Sequence, residues 1–211
     1  FRRTWQLFEY YNVGLLIDIL RDNGYKWVDG WLANKDNPHQ HIGTLPEDSI
    51  LRFEKPDGDH YIELAYDTEL EQGIKDQTYS RYFNANGRRP DIRLTIYRND
   101  GSLYSLKAGL ILEVKCRRHR YLINQEIEPD IKAQLKEFMN LEYYDSQDRD
   151  GYTVINPIKQ VIVLYPKQSG IEPVKSDHVY GERLIYIQVE PGEPSSEIKP
   201  FGYDSLKSKM D

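Results

Sequence analysis

Residues 88–120 read RRPDIRLTIYRNDGSLYSLKAGLILEVKCRRHR. Two strands and a turn account for this stretch. In 91–97, Ile92, Leu94 and Ile96 alternate with Asp91, Arg93, Thr95 and Tyr97, the period of a strand with one apolar face. Pro90 fits at its start, where no ladder N–H is needed. Asn99-Asp100-Gly101 signals a turn. The second strand ends in residues 110–115, with Leu110, Leu112 and Val114 on one face and Ile111, Glu113 and Lys115 on the other. One face of a half-buried hairpin therefore carries Asp91, Glu113 and Lys115.

Charge at such a place is costly unless it is paired or holds a metal. Asp91 and Glu113 offer the oxygen ligands that a hard divalent cation such as Mg²⁺ takes. Lys115 either pairs with one of the acids, or orients or deprotonates a water and neutralises charge on a phosphate.

Turn geometry sets a condition on that reading. A three-residue loop 99–101 with Gly101 left-handed pairs Arg98 with Ser102. Counting back sets Asp91 opposite Gly109, which leaves Glu113 four residues, roughly 13 Å, further along. One cation cannot bridge that span. The site therefore requires an irregularity between Arg98 and Leu110, and Ala108-Gly109 is the favoured place, because glycine tolerates a bulge conformation.

Pro90-Asp91 followed by Glu113-Val114-Lys115 resembles the PD-(D/E)XK nuclease superfamily, whose core runs helix, three strands, helix, strand. The resemblance implies an α/β fold, a mixed central sheet flanked by helices with a restriction-endonuclease-like α-β-β-β-α-β core. It implies a Mg²⁺- or Mn²⁺-dependent endonuclease hydrolysing DNA in a restriction or defence system. There Asp91 and Glu113 bind the metal and Lys115 assists hydrolysis. The helix-first order and the long gap before Pro90 look most like the nuclease subunit of McrBC-type modified-DNA restriction systems and its relatives. The first helix of the superfamily often adds an acid beside the metal, and Glu9 matches it; otherwise Glu9 is an edge residue paired with a lysine. Several branches carry a glutamine on the second helix, and Gln134 matches that; otherwise it too is an edge residue.

The rest of the chain supports this order. Residues 4–23 read as a helix with Trp5, Phe8, Leu15 and Ile19 in one stripe, widened by Val13, Leu16 and Leu20. Residues 27–33 and 50–54 are short strands around the loop 34–38. His39 and His41 lack the further ligands of a zinc site and read as loop residues. Residues 61–70 form the first core strand, and 71–86 a polar loop. A helix starts at Glu128-Pro129-Asp130 and shows Ile131, Leu135 and Phe138. Residues 159–165, KQVIVLY, form a strand covered on both faces. Another strand spans 183–189 after an irregular 166–181. The stretch 191–196 is linker-like, and Phe201 and Tyr203 dock the polar tail. The expectation is one domain over 1–211, excised from a longer protein, with its core at about 4–165 and an accessory strand and tail at 166–211.

The chain carries a net charge of −6, but residues 81–120 hold ten Lys/Arg against three Asp/Glu. That local excess fits a phosphate-tracking groove. Arg88 and Arg89 before Pro90, and Arg117, Arg118 and Arg120 after Lys115, are the candidate DNA contacts; solvent exposure is the other reading. His119 is either a proton-transfer group or surface. Cys116 reads as core beside Val114, and a single cysteine fits a reducing cytoplasm. No apolar run reaches a membrane span, and no Gly-rich loop suggests nucleotide-triphosphate chemistry. Partners expected are DNA and other subunits of a restriction complex, with a dimer for double-strand cleavage. A nuclease-like fold that only binds nucleic acid or assembles a complex is the alternative, and a small-molecule phosphohydrolase is a third.

Overall fold

The computed structural model describes residues 4–30, 45–72, 80–83, 88–124, 128–146, 153–192 and 198–210. His39 and His41 lie outside the described residues, as do the ends of several predicted loops.

Helix α1 (Thr4–Asp22) buries Val13, Leu15, Leu16, Ile19 and Leu20. Trp5, predicted in that stripe, is exposed, so the buried face begins one turn later, at Glu9. Gly24 ends the helix at φ 85°, and the amides of Asn23, Gly24 and Tyr25 return to carbonyls of its last turn, as a left-handed cap allows.

Strands β1 (Lys26–Gly30), β2 (Ser49–Glu54) and β3 (His60–Tyr66) follow, then the short β4 (Arg81–Phe83), then β5 (Ile92–Arg98) and β6 (Gly109–Val114). A short helix α2 (His119–Ile123) and α3 (Pro129–Met139) lead to β7 (Glu142–Asp145), β8 (Thr153–Ile155) and β9 (Ile158–Pro166). The chain closes with β10 (Val174–Asp177), β11 (Gly181–Val189) and α4 (Tyr203–Met210).

The fold is α/β, with a mixed eight-stranded sheet in the order β1-β2-β3-β5-β6-β9-β11-β10 and a second sheet β4-β7-β8. β1, β2, β3, β5 and β6 form an antiparallel run, whereas β6, β9 and β11 are parallel. A parallel step needs a long crossover, and residues 115–157 supply it through α2 and α3.

Both faces of the large sheet are covered. Leu112, Val114, Ile162 and Leu164 pack toward Leu16, Ile19 and the α4 residues Tyr203 and Leu206. Ile111, Val161, Val163 and Tyr165 pack toward Leu135 and Phe138 of α3 and Tyr143 of the small sheet. β9 is therefore buried on both sides, which accounts for its unbroken apolar run. The hairpin is likewise more deeply buried than its alternation implies, with Arg93 and Thr95 inside together with Ile92 and Leu94.

The tight turn and the required irregularity are both present in the hairpin. Gly101 is left-handed at φ 87°, and the Arg98 amide donates to the Ser102 carbonyl at 2.8 Å. Tyr97 bridges Leu103. Ile96 is then used twice: its carbonyl accepts from the Tyr104 amide, and its amide donates to the Ala108 carbonyl, each at 3.0 Å. Four residues, Tyr104 to Lys107, are thus looped out of the ladder. Pairing resumes as Thr95 with Gly109 and Ile92 with Leu112. The loop-out cancels the four-residue offset and sets Asp91 beside Glu113. Gly109 serves here by smallness, not by a left-handed φ. A Cβ there would stand 3.0 Å from the Tyr82 hydroxyl and 3.0 Å from Ile158 Cδ1.

Local patterning missed the short elements. β4 lies in the predicted loop 71–86, β7 follows closely on the end of α3, and β10 lies in the irregular 166–181. Each is three or four residues long, too short to show a period. The docked tail is a helix, with the Tyr203 hydroxyl donating to Asp22 Oδ2 at 2.5 Å.

Candidate functional site

The end of the β5–β6 pair joins Asp91, Glu113 and Lys115 into one cluster. Asp91 and Glu113 hold each other's backbones. The Asp91 amide donates to Glu113 Oε1 at 3.0 Å, and the Val114 amide donates to Asp91 Oδ2 at 2.7 Å. Lys115 Nζ stands 2.6 Å from Glu113 Oε2 and 3.6 Å from Asp91 Oδ2. Those two contacts to a common atom limit the carboxylate oxygens to about 6 Å apart.

Burial sharpens the electrostatics. The Glu113 side chain is wholly buried. Its Oε2 meets the Lys115 ammonium as a close ion pair. Burial, then the charge of Asp91, pushes the Glu113 carboxyl up, against the pull of Lys115. Burial by itself lowers the Lys115 ammonium, but Glu113 and Asp91 outweigh it and hold the pKa well above the ordinary lysine value.

Glu9 approaches from α1. It is 9% exposed and accepts a hydrogen bond from the Tyr66 hydroxyl at 3.0 Å. Tyr66 ends β3 and pairs with Ile92, so this contact brings Glu9 to the strand end where Asp91 sits. Burial first, and Asp91 second, push the Glu9 carboxyl up to about 7, while Tyr66 and Lys115 pull it down. Neither Tyr66 nor Asp67, whose amide donates to the Asp91 carbonyl at 2.9 Å, was singled out from sequence. The end of an alternating strand carries no mark of what lies across the sheet.

Glu9 lies near enough to feel the charges of Asp91 and Lys115, but among the described residues no three acid, histidine or cysteine side chains converge as a ready-made metal cage. The donor set suits a hard cation that keeps most of its own waters. Its strongest feature is the wholly buried Glu113 carboxylate, since a buried charge is costly unless it is paired or holds a metal.

The candidate DNA contacts divide into two groups. Arg89 pairs with Asp48 at 2.9 Å and Asp67 at 3.1 Å, reaches Glu47 at 3.5 Å, and donates to the Asp67 carbonyl. Asp48 and Asp67 hold left-handed backbone at φ 59° and 44°, sparsely populated for residues other than glycine, so Arg89 secures the strained entry to β5. Arg88 pairs with Glu137 at 2.8 Å, and Arg117 pairs with Glu128. These two ion pairs hold both ends of α3 beside the cluster. Gln134, between them on α3, is half-buried and has no hydrogen bond to a described residue. Arg120 lies on Tyr121, donating to its hydroxyl at 2.8 Å. Arg118 is exposed and has no ion pair among the described residues.

The basic excess of 81–120 is therefore divided, with Arg81 and Arg93 turned inward and Arg98, Lys107, Arg117, Arg118 and Arg120 exposed. Arg81 pairs with Glu71 at 3.7 Å and Arg93 with Glu63 at 3.5 Å. His119 is buried against Tyr165 and Tyr186 rather than surface-exposed. Cys116 is exposed rather than core, because β6 ends at Val114. Among the described residues, no helix is long and apolar enough to cross a membrane. Comparison with protein-family models, with curated proteins and with solved structures finds no match.

Proposed function

We propose that this chain is a metal-dependent nuclease domain of the PD-(D/E)XK type, hydrolysing phosphodiester bonds of DNA as part of a restriction or defence system. The observation that carries the reading is the wholly buried Glu113 carboxylate, held between the Asp91 amide and the Lys115 ammonium with Asp91 alongside. The element order supports it. Helix α1, strands β3, β5 and β6, helix α3 and strand β9 occur in that order, with β1, β2, β4, α2, β7 and β8 inserted between them.

Asp91 and Glu113 are the residues that would hold Mg²⁺ or Mn²⁺, with Glu9 as a third acid beside them. When bound, the cation lowers the pKa of a coordinated water and polarises a phosphoryl oxygen. The protein groups supply the rest. Lys115 stays protonated, because two carboxylates hold its proton. That rules it out as the base in this resting arrangement and leaves it to orient the attacking water and offset charge on the phosphate. Arg118 offers an exposed cation for a neighbouring phosphate.

Supercoiled plasmid incubated with the protein and Mg²⁺ or Mn²⁺ tests this. Conversion to nicked or linear DNA, abolished by EDTA, is the expected result. A plasmid left intact under every metal condition would contradict it. The second reading, a nuclease-like fold that only binds nucleic acid or assembles a complex, is favoured by the ion pair that already engages Lys115 and Glu113. It predicts DNA binding without cleavage in the same assay.

A further inference from the structure

Beside the cluster, on the same face of the sheet, lies a cavity of about 380 Å³, within the range of small-ligand sites, about 300–1,000 Å³. Strand alternation sets Arg93 on the side of Asp91, two residues along β5, and Glu63 of β3 faces the same way. The small sheet closes the cavity with Tyr82 and Tyr143.

The walls are aromatic. Tyr61 and Tyr97 stack at 5.3 Å between centroids, and Tyr82 meets Tyr143 edge-on at 4.9 Å. Between them Arg93 lies over the Tyr82 ring, 4.3 Å from its centroid. Arg93 is 6% exposed, and its Nε has no hydrogen-bond partner. Its only carboxylate among the described residues, Glu63, is 3.5 Å away, a loose contact for a buried pair. Arg93 thus lines the cavity with donor capacity that one loose carboxylate contact leaves largely unused, which points to an absent acceptor.

The charge balance says what kind of acceptor. Each arginine in the wall has a glutamate partner, Arg93 with Glu63 and Arg81 with Glu71, and Glu69 adds another acid. The cavity is thus not cationic and does not suit a phosphate. It suits a flat, neutral, polar molecule that offers acceptors to a guanidinium and donors to a carboxylate, between tyrosine rings. A nucleobase has that shape. Guanine has both sets, with O6 and N7 on one edge to accept from arginine and N2–H₂ on another to donate to a carboxylate. Adenine lacks the paired acceptors.

We propose that this cavity receives the base of a single unpaired nucleotide, guanine in preference to adenine, from the strand whose phosphate lies at Asp91 and Glu113. Two residues of β5 span about 7 Å, the reach of one or two nucleotides at about 3.4 Å of rise per nucleotide on one strand. A base held at Arg93 then belongs to a nucleotide one or two from the phosphate at Asp91. Extruding a base from a duplex costs a few kcal/mol and least where it is already unpaired, so the cavity selects substrates with an unpaired guanine near the cut. The choice of nucleic acid as the source rests on the nuclease reading; the preference for a guanine-like ligand does not.

Calorimetric titration of the intact chain with guanosine and with adenosine, in EDTA, tests the cavity alone. A nucleoside has no phosphate and EDTA leaves no metal, so the Asp91–Glu113 cluster takes no part. Saturable guanosine binding, about tenfold tighter than adenosine, is expected. Glu63→Gln keeps the side-chain shape and should weaken guanosine by about tenfold, with circular dichroism confirming the fold. No guanosine binding, or equal binding of the two nucleosides, overturns the proposal, and that comparison needs no variant. A second arm compares a duplex carrying one unpaired guanine with its fully paired counterpart. Tighter binding of the first is expected. Guanosine binding without that preference overturns the placement on the substrate strand. Neither arm reads cleavage, so failure of the plasmid assay and failure here are separate results.

Discussion

Replacing Glu9 by glutamine should raise stability, and only above a defined pH. Glu9 is buried on α1 and held by the Tyr66 hydroxyl at 3.0 Å. Burial and Asp91 raise its carboxyl from an ordinary 4.5 to about 7. Between those values the unfolded chain has released the proton and the folded chain has kept it. The folded state then binds more protons, so the free energy of unfolding falls as pH rises. The contribution is fully present below about 4.5 and lost as pH passes about 7. At about 1.4 kcal/mol for each pH unit, that gap amounts to about 3 kcal/mol. Glutamine has nearly the same shape, accepts from Tyr66, and does not titrate. Urea denaturation at closely spaced pH values, in EDTA, measures the difference. Glu9→Gln and the parent should agree near pH 4 and diverge until the variant is more stable by about 3 kcal/mol at pH 8. Parallel stability curves across that window would refute the reasoning, because they would mean Glu9 ionises as if in water.

Three further outcomes follow from named contacts. Lys115→Met leaves the wholly buried Glu113 without its cation and should cost about 3–5 kcal/mol; Lys115→Met with Glu113→Leu should recover most of that loss in the same urea titration. Gly109→Ala pushes a Cβ to 3.0 Å from Tyr82 and Ile158 and should cost about 1–3 kcal/mol, read from the urea midpoint. Arg118→Ala should weaken DNA binding and reduce the salt slope by about 1, as loss of one phosphate contact does, whereas Arg89→Ala should act on stability, since Arg89 is already engaged with Asp48 and Asp67.

Much of the sheet was legible because its signals are local. The alternation of Ile92, Leu94 and Ile96, and the apolar run ending in Tyr165, each follow from which faces are covered. The loop-out of Tyr104 to Lys107 was foreseeable from counting alone: a tight turn at Gly101 and adjacent acids are incompatible on a regular ladder. Its cause was misassigned, since Gly109 answers to the Tyr82 hydroxyl and Ile158 and not to its own φ. The fate of the arginines was not legible. Whether Arg89 faces a phosphate or Asp48 depends on residues 41 positions away, and composition reports only that the stretch is basic. Arg93 was likewise hidden, because a polar position in an alternating strand reads as solvent-facing until the small sheet closes over it. That sheet is built from three strands too short to announce themselves.

The most direct test of the proposed hydrolytic role compares cleavage of plasmid DNA in Mn²⁺ by the parent chain and by Glu113→Gln. The variant keeps the side chain's size and an acceptor for the Asp91 amide while removing the negative charge from the buried oxygen beside Lys115. The account predicts cleavage by the parent and, for a variant folded by circular dichroism, a rate no higher than that of the parent in EDTA. Cleavage by Glu113→Gln at the parent rate would place the chemistry elsewhere and contradict the assignment.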